Sequence, residues 1–239
     1  MAKRLITQAR GAGGPRYRAP SHNYFGAIKL AKASQKLLRG EVMDIVNSVG
    51  HSAPLMLVQY ENGDVGLMPA ALGIRKGEVV FAGPGAPIQP GCVHRLGDVP
   101  TGFPVYNIEH TPFDGGKLIR TSGIAAQVVG REGGKVMLKL PSKKIAAFHP
   151  NCRAVVGIIA GGGRVEKPWV KGGKHHIARR ARGKIHPTVS GVAKNAIDHP
   201  FGGSHRRSLG ISTTTRRGTP PGRKVGLLWA RKTGRGGKK

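Results

Sequence analysis

Acidic residues are scarce in this chain: 11 Asp and Glu stand against 40 Lys and Arg in 239 residues, and the formal net charge is +29. A chain so charged repels itself unless a polyanion neutralises it. Aromatics are also few, at 5%, which argues against a single-strand binder that stacks many bases in succession. Cysteine is limited to Cys92 and Cys152, sixty residues apart and without a Cys-x-x-Cys pair. That spacing argues against a structural zinc site and suits two buried thiols in a reducing compartment. The opening Met1-Ala2-Lys3-Arg4-Leu5-Ile6 lacks the apolar run of a signal peptide. No stretch is long and apolar enough to span a bilayer. The expectation is a soluble, intracellular protein with no membrane partner, bound to something acidic.

What is present is segregated. Residues 1–40 carry nine Lys/Arg and no Asp/Glu, residues 41–160 carry eleven against nine, and residues 161–239 carry twenty against two. A near-neutral centre is flanked by two cationic ends. Nucleic acid is the leading partner for such ends.

The centre reads as β. Glu41-Val42-Met43-Asp44-Ile45-Val46 alternates as a half-buried strand does. Leu55–Tyr60 and Val65–Met68 flank Glu61-Asn62-Gly63-Asp64, a hairpin signal because Asn-Gly accepts positive φ at both positions. Glu78–Phe81 is a further short strand. A second series follows: Val105–Glu109, Ile124–Val129, Lys135–Leu140, Lys144–Phe148 and Val155–Ala160. Many short strands between Gly/Pro turns predict small antiparallel barrels, an all-β fold. Before the centre, Ala27–Leu38 is expected to form a helical turn or two.

The ends read differently. Gly and Pro between Arg10 and Pro20 place Arg10, Arg16 and Arg18 on an extended arm. The last 79 residues hold sixteen glycines and few large apolar groups. Such a segment is expected to be disordered alone and ordered on its partner. Its cation clusters are Lys171, Lys174, Arg179, Arg180, Arg182, Lys184, Arg206, Arg207, Arg216, Arg217, Arg223, Lys224, Arg231, Lys232, Arg235, Lys238 and Lys239. A flexible cationic arm threads between RNA helices where a globule does not fit. RNA is favoured over DNA because nothing reads as a major-groove recognition helix.

His175-His176 has no third ligand spaced for a metal, so RNA contact is the better reading. Trp169 and Trp229 sit in basic stretches and suit stacking on a base, although Trp169 equally suits packing on a barrel. No glycine-rich stretch closes as a phosphate loop. Asp198-His199 invites a catalytic reading, but adjacent residues seldom face each other and no nucleophile is fixed nearby.

These blocks, in order, resemble the universal large-subunit ribosomal protein L-two family in its archaeal or eukaryotic-type form. The resemblance is carried by Ala19-Pro20-Ser21-His22, Phe25-Gly26, Thr121-Ser122-Gly123, Val129-Gly130-Arg131-Glu132-Gly133-Gly134, Leu140-Pro141-Ser142 and Asn151-Cys152-Arg153-Ala154. Pro187–Ala193 leading to Asp198-His199-Pro200-Phe201-Gly202-Gly203 is similar to the family's signature loop, and Pro221–Gly226 to its ending. The resemblance implies a basic arm over residues 1–40, an OB-like barrel over 41–85, an SH3-like barrel over 86–170 and a basic glycine-rich extension over 171–239. It implies primary binding to 23S-type large-subunit rRNA, neighbouring ribosomal proteins, the small subunit across the intersubunit face, and cytoplasmic localisation within the large subunit.

It adds His22 to the arm's RNA contacts and places Asn195, Asp198, His199, Gly202 and Gly203 on the approach to the peptidyl-transferase centre. This chain departs from the family pattern at Lys194 (usually Met), Ala196 (usually Pro) and Phe201 (often His). No catalytic residue is expected, His199 being the weak candidate of the enzyme reading. No cofactor is expected beyond Mg²⁺ or K⁺ held within an RNA interface. A general RNA chaperone or DNA binder is the third reading, told apart by a lack of sequence choice.

Overall fold

The computed structural model describes residues 3, 6–32, 36–203, 218, 224–225 and 228–229. Arg206, Arg207, Arg216, Arg217, Arg223, Arg231, Lys232, Arg235, Lys238 and Lys239 lie outside the described residues. The chain divides into two compact units, Ala19–Arg182 and Met1–Arg18 with Gly183–Lys239.

The Ala19–Arg182 unit is β, as the alternation predicts. Strands β1 (Leu38–Val46), β2 (Leu55–Tyr60), β3 (Val65–Pro69) and β4 (Val79–Ala82) are followed by β5 (Val93–Arg95) and β6 (Pro104–Tyr106). Strands β7 (Ala126–Glu132), β8 (Lys135–Lys139), β9 (Ile145–Phe148) and β10 (Arg153–Val156) complete the series. All ten join one sheet in the order β3-β2-β1-β4-β5-β10-β6-β7-β8-β9. Every pairing is antiparallel except the single rung Ala82↔Val93 between β4 and β5.

The β2–β3 turn forms where Asn62-Gly63 predicts it. Of the two turn residues only Gly63 takes positive φ, at 79°, while Asn62 acts through its side chain, its Oδ1 accepting the Asp64 N–H at 3.1 Å. Short β5 has no alternating pattern long enough to mark it in sequence.

Two hydrophobic cores result. One gathers Val42, Met56, Val58, Tyr60, Met68, Val80, Tyr106 and Val155; the other gathers Leu96, Val105, Ile108, Val128, Val136, Leu138, Ala154 and Val156. Strand β10 sends Val155 into the first and Ala154 and Val156 into the second, as period-two alternation requires. Strand β6 divides in the same way between Tyr106 and Val105. The two cores therefore share a wall. Cys92 and Cys152 are buried and unbridged, and burial raises both thiol pKa values.

The helix expected within Ala27–Leu38 is absent from its described part. The chain there is an extended strap: Lys29 N–H donates to Leu67 O at 3.0 Å, and Leu30 N–H to Gly115 O at 3.1 Å. Arg120 Nη2 donates to Ile28 O at 3.1 Å, and Arg153 Nη1 to Ala31 O at 2.6 Å. Tertiary partners satisfy these backbone groups, so the local helical preference of alanine is overridden.

After the last strand comes α2 (Gly172–Arg180), nine residues long, in the segment where regular patterning fades. The other unit holds the short α1 (Ile6–Gly11) and two paired two-residue strands, β11 (Lys224–Val225) and β12 (Leu228–Trp229).

Candidate nucleic-acid interface

Helix α2 carries the densest described cationic cluster of its unit. Lys171 is its extended N-cap residue, with no side-chain cap bond, and Arg179 and Arg180 occupy the last turn. Cations at a helix C-terminus are favourable to the dipole. The helix itself buries no residue, and Ala181 just beyond it is buried. Nine residues without a buried face make a helix that is marginal in water.

Lys171, Lys174, His176, Arg179 and Arg180 are exposed, while His175 and Arg182 are half-buried. Trp169 stacks on His175, with ring centroids 4.9 Å apart and planes 19° apart. Arg179 Nε donates to His175 Nε2 at 3.0 Å. Trp169 thus lies face-on to His175, one of the RNA-contact candidates. From Lys167 to Ile197 the sequence contains no Asp or Glu, so no internal carboxylate competes for the cations of that stretch. Burial, followed by Arg164, lowers the Arg182 pKa.

His22 sits exposed on a single 3-10 turn, Ser21–Asn23. Nearby, Phe25 N–H donates to Ser48 Oγ at 3.2 Å, and Ser48 Oγ lies 2.7 Å from His51 Nδ1. These bonds tie the arm to the first barrel beyond His22.

In the Met1–Arg18 and Gly183–Lys239 unit, the loop 190–203 folds on itself. Asn195 O accepts from Asp198 N at 3.0 Å and His199 N at 3.2 Å. Gly202 N donates to His199 O at 2.8 Å, and Gly203 N to Lys194 O at 3.3 Å. A Cβ on Gly202 would overlap the Asn195 and Lys194 carbonyls, and one on Gly191 would overlap the His199 ring. The glycines at 191 and 202 are therefore packing requirements.

Asp198 and His199 do not form a dyad. Asp198 Oδ1 lies 3.3 Å from Lys3 Nζ. His199 Nδ1 accepts the Phe201 N–H at 3.0 Å, and its ring packs on Phe201 with centroids 5.0 Å apart. With Nδ1 so used, the neutral ring carries its proton on Nε2. Arg10, Arg16, Lys194 and His199, with Ile6 and Ile185, line a cavity of about 330 Å³. Arg18 and Lys184 are exposed in the same unit, as is Asn195. Lys224 lies on β11.

Sequence reasoning missed Arg120 and Arg153, the arginines that hold the strap. It also missed Arg164, whose Nε donates to buried Ser122 Oγ at 3.1 Å. Arg120 and Arg153 lie in the mixed-charge centre, where single arginines gave no signal, and Arg164 opens the basic segment without belonging to a cluster. Among the described residues, no group of three His, Cys, Asp or Glu is placed to hold a metal ion. No described helix is long and apolar enough to cross a membrane.

The described geometry is that of an all-β protein whose two cores share a wall and whose exposed cations gather on the helix after the last strand. Residues 89–222 match the family described as Ribosomal Proteins L2, C-terminal domain. The large ribosomal subunit protein uL2 of Methanococcoides burtonii is 45% identical over 98% of this chain and 100% of its own length. The uL2 of Methanothermobacter thermautotrophicus is 46% identical over 98% of this chain and 99% of its own length. The uL2 of Methanococcus maripaludis is 48% identical over 98% of this chain and 100% of its own length. The chain belongs to the uL2 family of large-ribosomal-subunit proteins.

Proposed function

We propose that this chain is a structural constituent of the cytoplasmic large ribosomal subunit that binds 23S-type rRNA directly. The observation that carries this reading is the run from Lys167 to Ile197, with eight Lys/Arg and no acidic residue, of which Lys174, Arg179 and Arg180 stand on a helix that buries nothing of its own. Such a helix gains its stability from a polyanion. The barrels orient on the RNA surface, and the extensions neutralise phosphates where RNA helices crowd.

The finer roles follow the same logic. Arg10, Arg16, Arg18, His22 and the cations from Lys171 to Lys184 contact rRNA. So do Lys224 and the cations at 206, 207, 216, 217 and 223. The compact 190–203 loop presents Asn195, Asp198, His199, Gly202 and Gly203 toward the peptidyl-transferase region, and the protein supports subunit association. Neighbouring ribosomal proteins and the small subunit are its other partners. Any Mg²⁺ or K⁺ belongs to the RNA interface. We read the chain as scaffold and not as enzyme: Asp198 is directed to Lys3 and His199 Nδ1 to Phe201 N–H, so among the described residues Asp198 does not orient the imidazole.

Sucrose-gradient fractionation tests the placement. The chain is expected to sediment with large subunits and with full ribosomes, and sedimentation apart from them overturns the reading. Binding to purified large-subunit rRNA is expected to weaken about 10³–10⁵-fold from 50 to 200 mM salt for roughly 6–10 phosphate contacts.

A further inference from the structure

Phe113 stands between β6 and β7 with 60% of its surface exposed and a backbone φ of 67°. The left-handed region is costly for a bulky L-residue and persists only where its surroundings impose it. Here two carboxylates impose it. Glu109 accepts the N–H groups of Phe113 and Gly115, each at 3.0 Å. Asp114 accepts those of His110 at 3.0 Å, Thr111 at 3.3 Å and Gly116 at 2.9 Å. Phe113 belongs to neither hydrophobic core. The loop thus uses backbone strain to hold a ring out into solvent.

Charges of both signs surround the ring, and most of them are paired. The Arg153 guanidinium lies 5.5 Å from its centroid. Arg95, Lys32 and His94 line the adjoining hollow with Phe113, Gly83 and Pro84. The hollow holds about 30 Å³, too little for a nucleoside to enter, so a flat ligand would lie over the ring. Glu109 is engaged by Arg153 and Asp64 by Lys32, whereas Arg95 is exposed and has no carboxylate partner among the described residues. A protruding ring that seats in another protein favours an apolar rim. A ring beside an exposed, unpaired arginine suits a π-face joined to a phosphate.

We propose that Phe113 stacks on an unpaired nucleobase of the large-subunit rRNA, with Arg95 set toward a neighbouring phosphate. This rests on the rRNA-binding reading above and adds a base contact on the barrel to phosphate contacts on the extensions.

Ultraviolet crosslinking of wild-type large subunits, read by mass spectrometry, is expected to give a nucleotide adduct on Phe113. In subunits from cells whose sole copy carries Phe113→Leu or Phe113→Gly, one unpaired base shielded in wild type is expected to gain reactivity toward chemical probes. Affinity of the full-length variants for large-subunit rRNA is expected to fall roughly tenfold. The isolated Phe113→Gly protein is expected to melt no lower than wild type, because glycine adopts positive φ freely; the weaker binding is then not a folding defect. An adduct joining the Phe113 peptide to another protein overturns the proposal. So does the absence of any adduct together with unchanged base reactivity in both variants. Failure of the wild-type chain to sediment with large subunits is a different result and removes the rRNA reading itself.

Discussion

Arg153 Nη2 lies 2.6 Å from Glu109 Oε1, and the Glu109 side chain exposes none of its surface. The same carboxylate accepts the Arg153 backbone N–H at 2.8 Å and its Nε at 3.1 Å. With the loop bonds from Phe113 and Gly115, both oxygens are saturated. Removing one partner of such a pair leaves an uncompensated buried charge, at about 3–5 kcal/mol. Arg153→Ala is therefore expected to destabilise the full-length protein by about that much in denaturant titration. It is also expected to release the strap by removing the bond to Ala31 O. A destabilisation below about 1 kcal/mol, the level of a surface pair, would contradict this account.

The His199 ring fills the space over Gly191. Gly191→Ala is expected to displace the ring and lower the yield of large subunits on sucrose gradients. His199→Ala in the same chain removes the obstruction, so the double variant is expected to recover assembly beyond Gly191→Ala alone. Strictly additive defects would refute the coupling. His199→Ala by itself is expected to impair assembly or subunit joining more than peptide-bond formation in particles that do assemble.

Stability should fall in mild acid. Burial lowers the pKa of His94, although its bond to Pro87 O works the other way. Burial, with the nearby Arg120 and Arg182 cations, also lowers that of His51. Each ring has a folded pKa below its ordinary 6.5, so the unfolded chain binds more protons as pH drops. Their contribution is complete above about 6.5 and declines as pH falls through the folded values. Denaturation midpoints measured between about pH 7 and pH 5 are expected to drop, and His94→Gln is expected to flatten the drop. A midpoint unchanged over that range would count against it.

Replacing Lys171, Lys174, Arg179 and Arg180 together by Gln is expected to weaken rRNA binding. It should also reduce the slope of log affinity against log salt by about 0.7–0.9 for each phosphate no longer neutralised. Weaker binding with an unchanged slope would show that these cations act through structure and not through phosphate.

In hydrogen exchange of the isolated protein, β1–β10 are expected to be protected and α2 unprotected. The helix buries no side chain, so little opposes its opening. Equal protection of α2 and the barrels without RNA would defeat the view that the extension orders on its partner.

The sequence by itself determined the β character of the centre, because period-two alternation and Gly-rich turns are local signals. Leu55–Tyr60, the Asn62-Gly63 turn and Lys135–Lys139 all lie where the pattern puts them. It also determined the class of partner, since charge needs no fold to be counted. Other features were decided only by tertiary structure. The Ala27–Ala31 strap is extended because Leu67, Gly115, Arg120 and Arg153, distant in sequence, satisfy its backbone. The shared wall exists because Ala154 and Val155 point to opposite faces, each of which meets a different core. Asp198 pairs with Lys3, from the far end of the sequence, and not with adjacent His199, whose Nδ1 takes the Phe201 N–H. Long-range partners of this kind leave no periodic trace in the chain; burial and geometry select them.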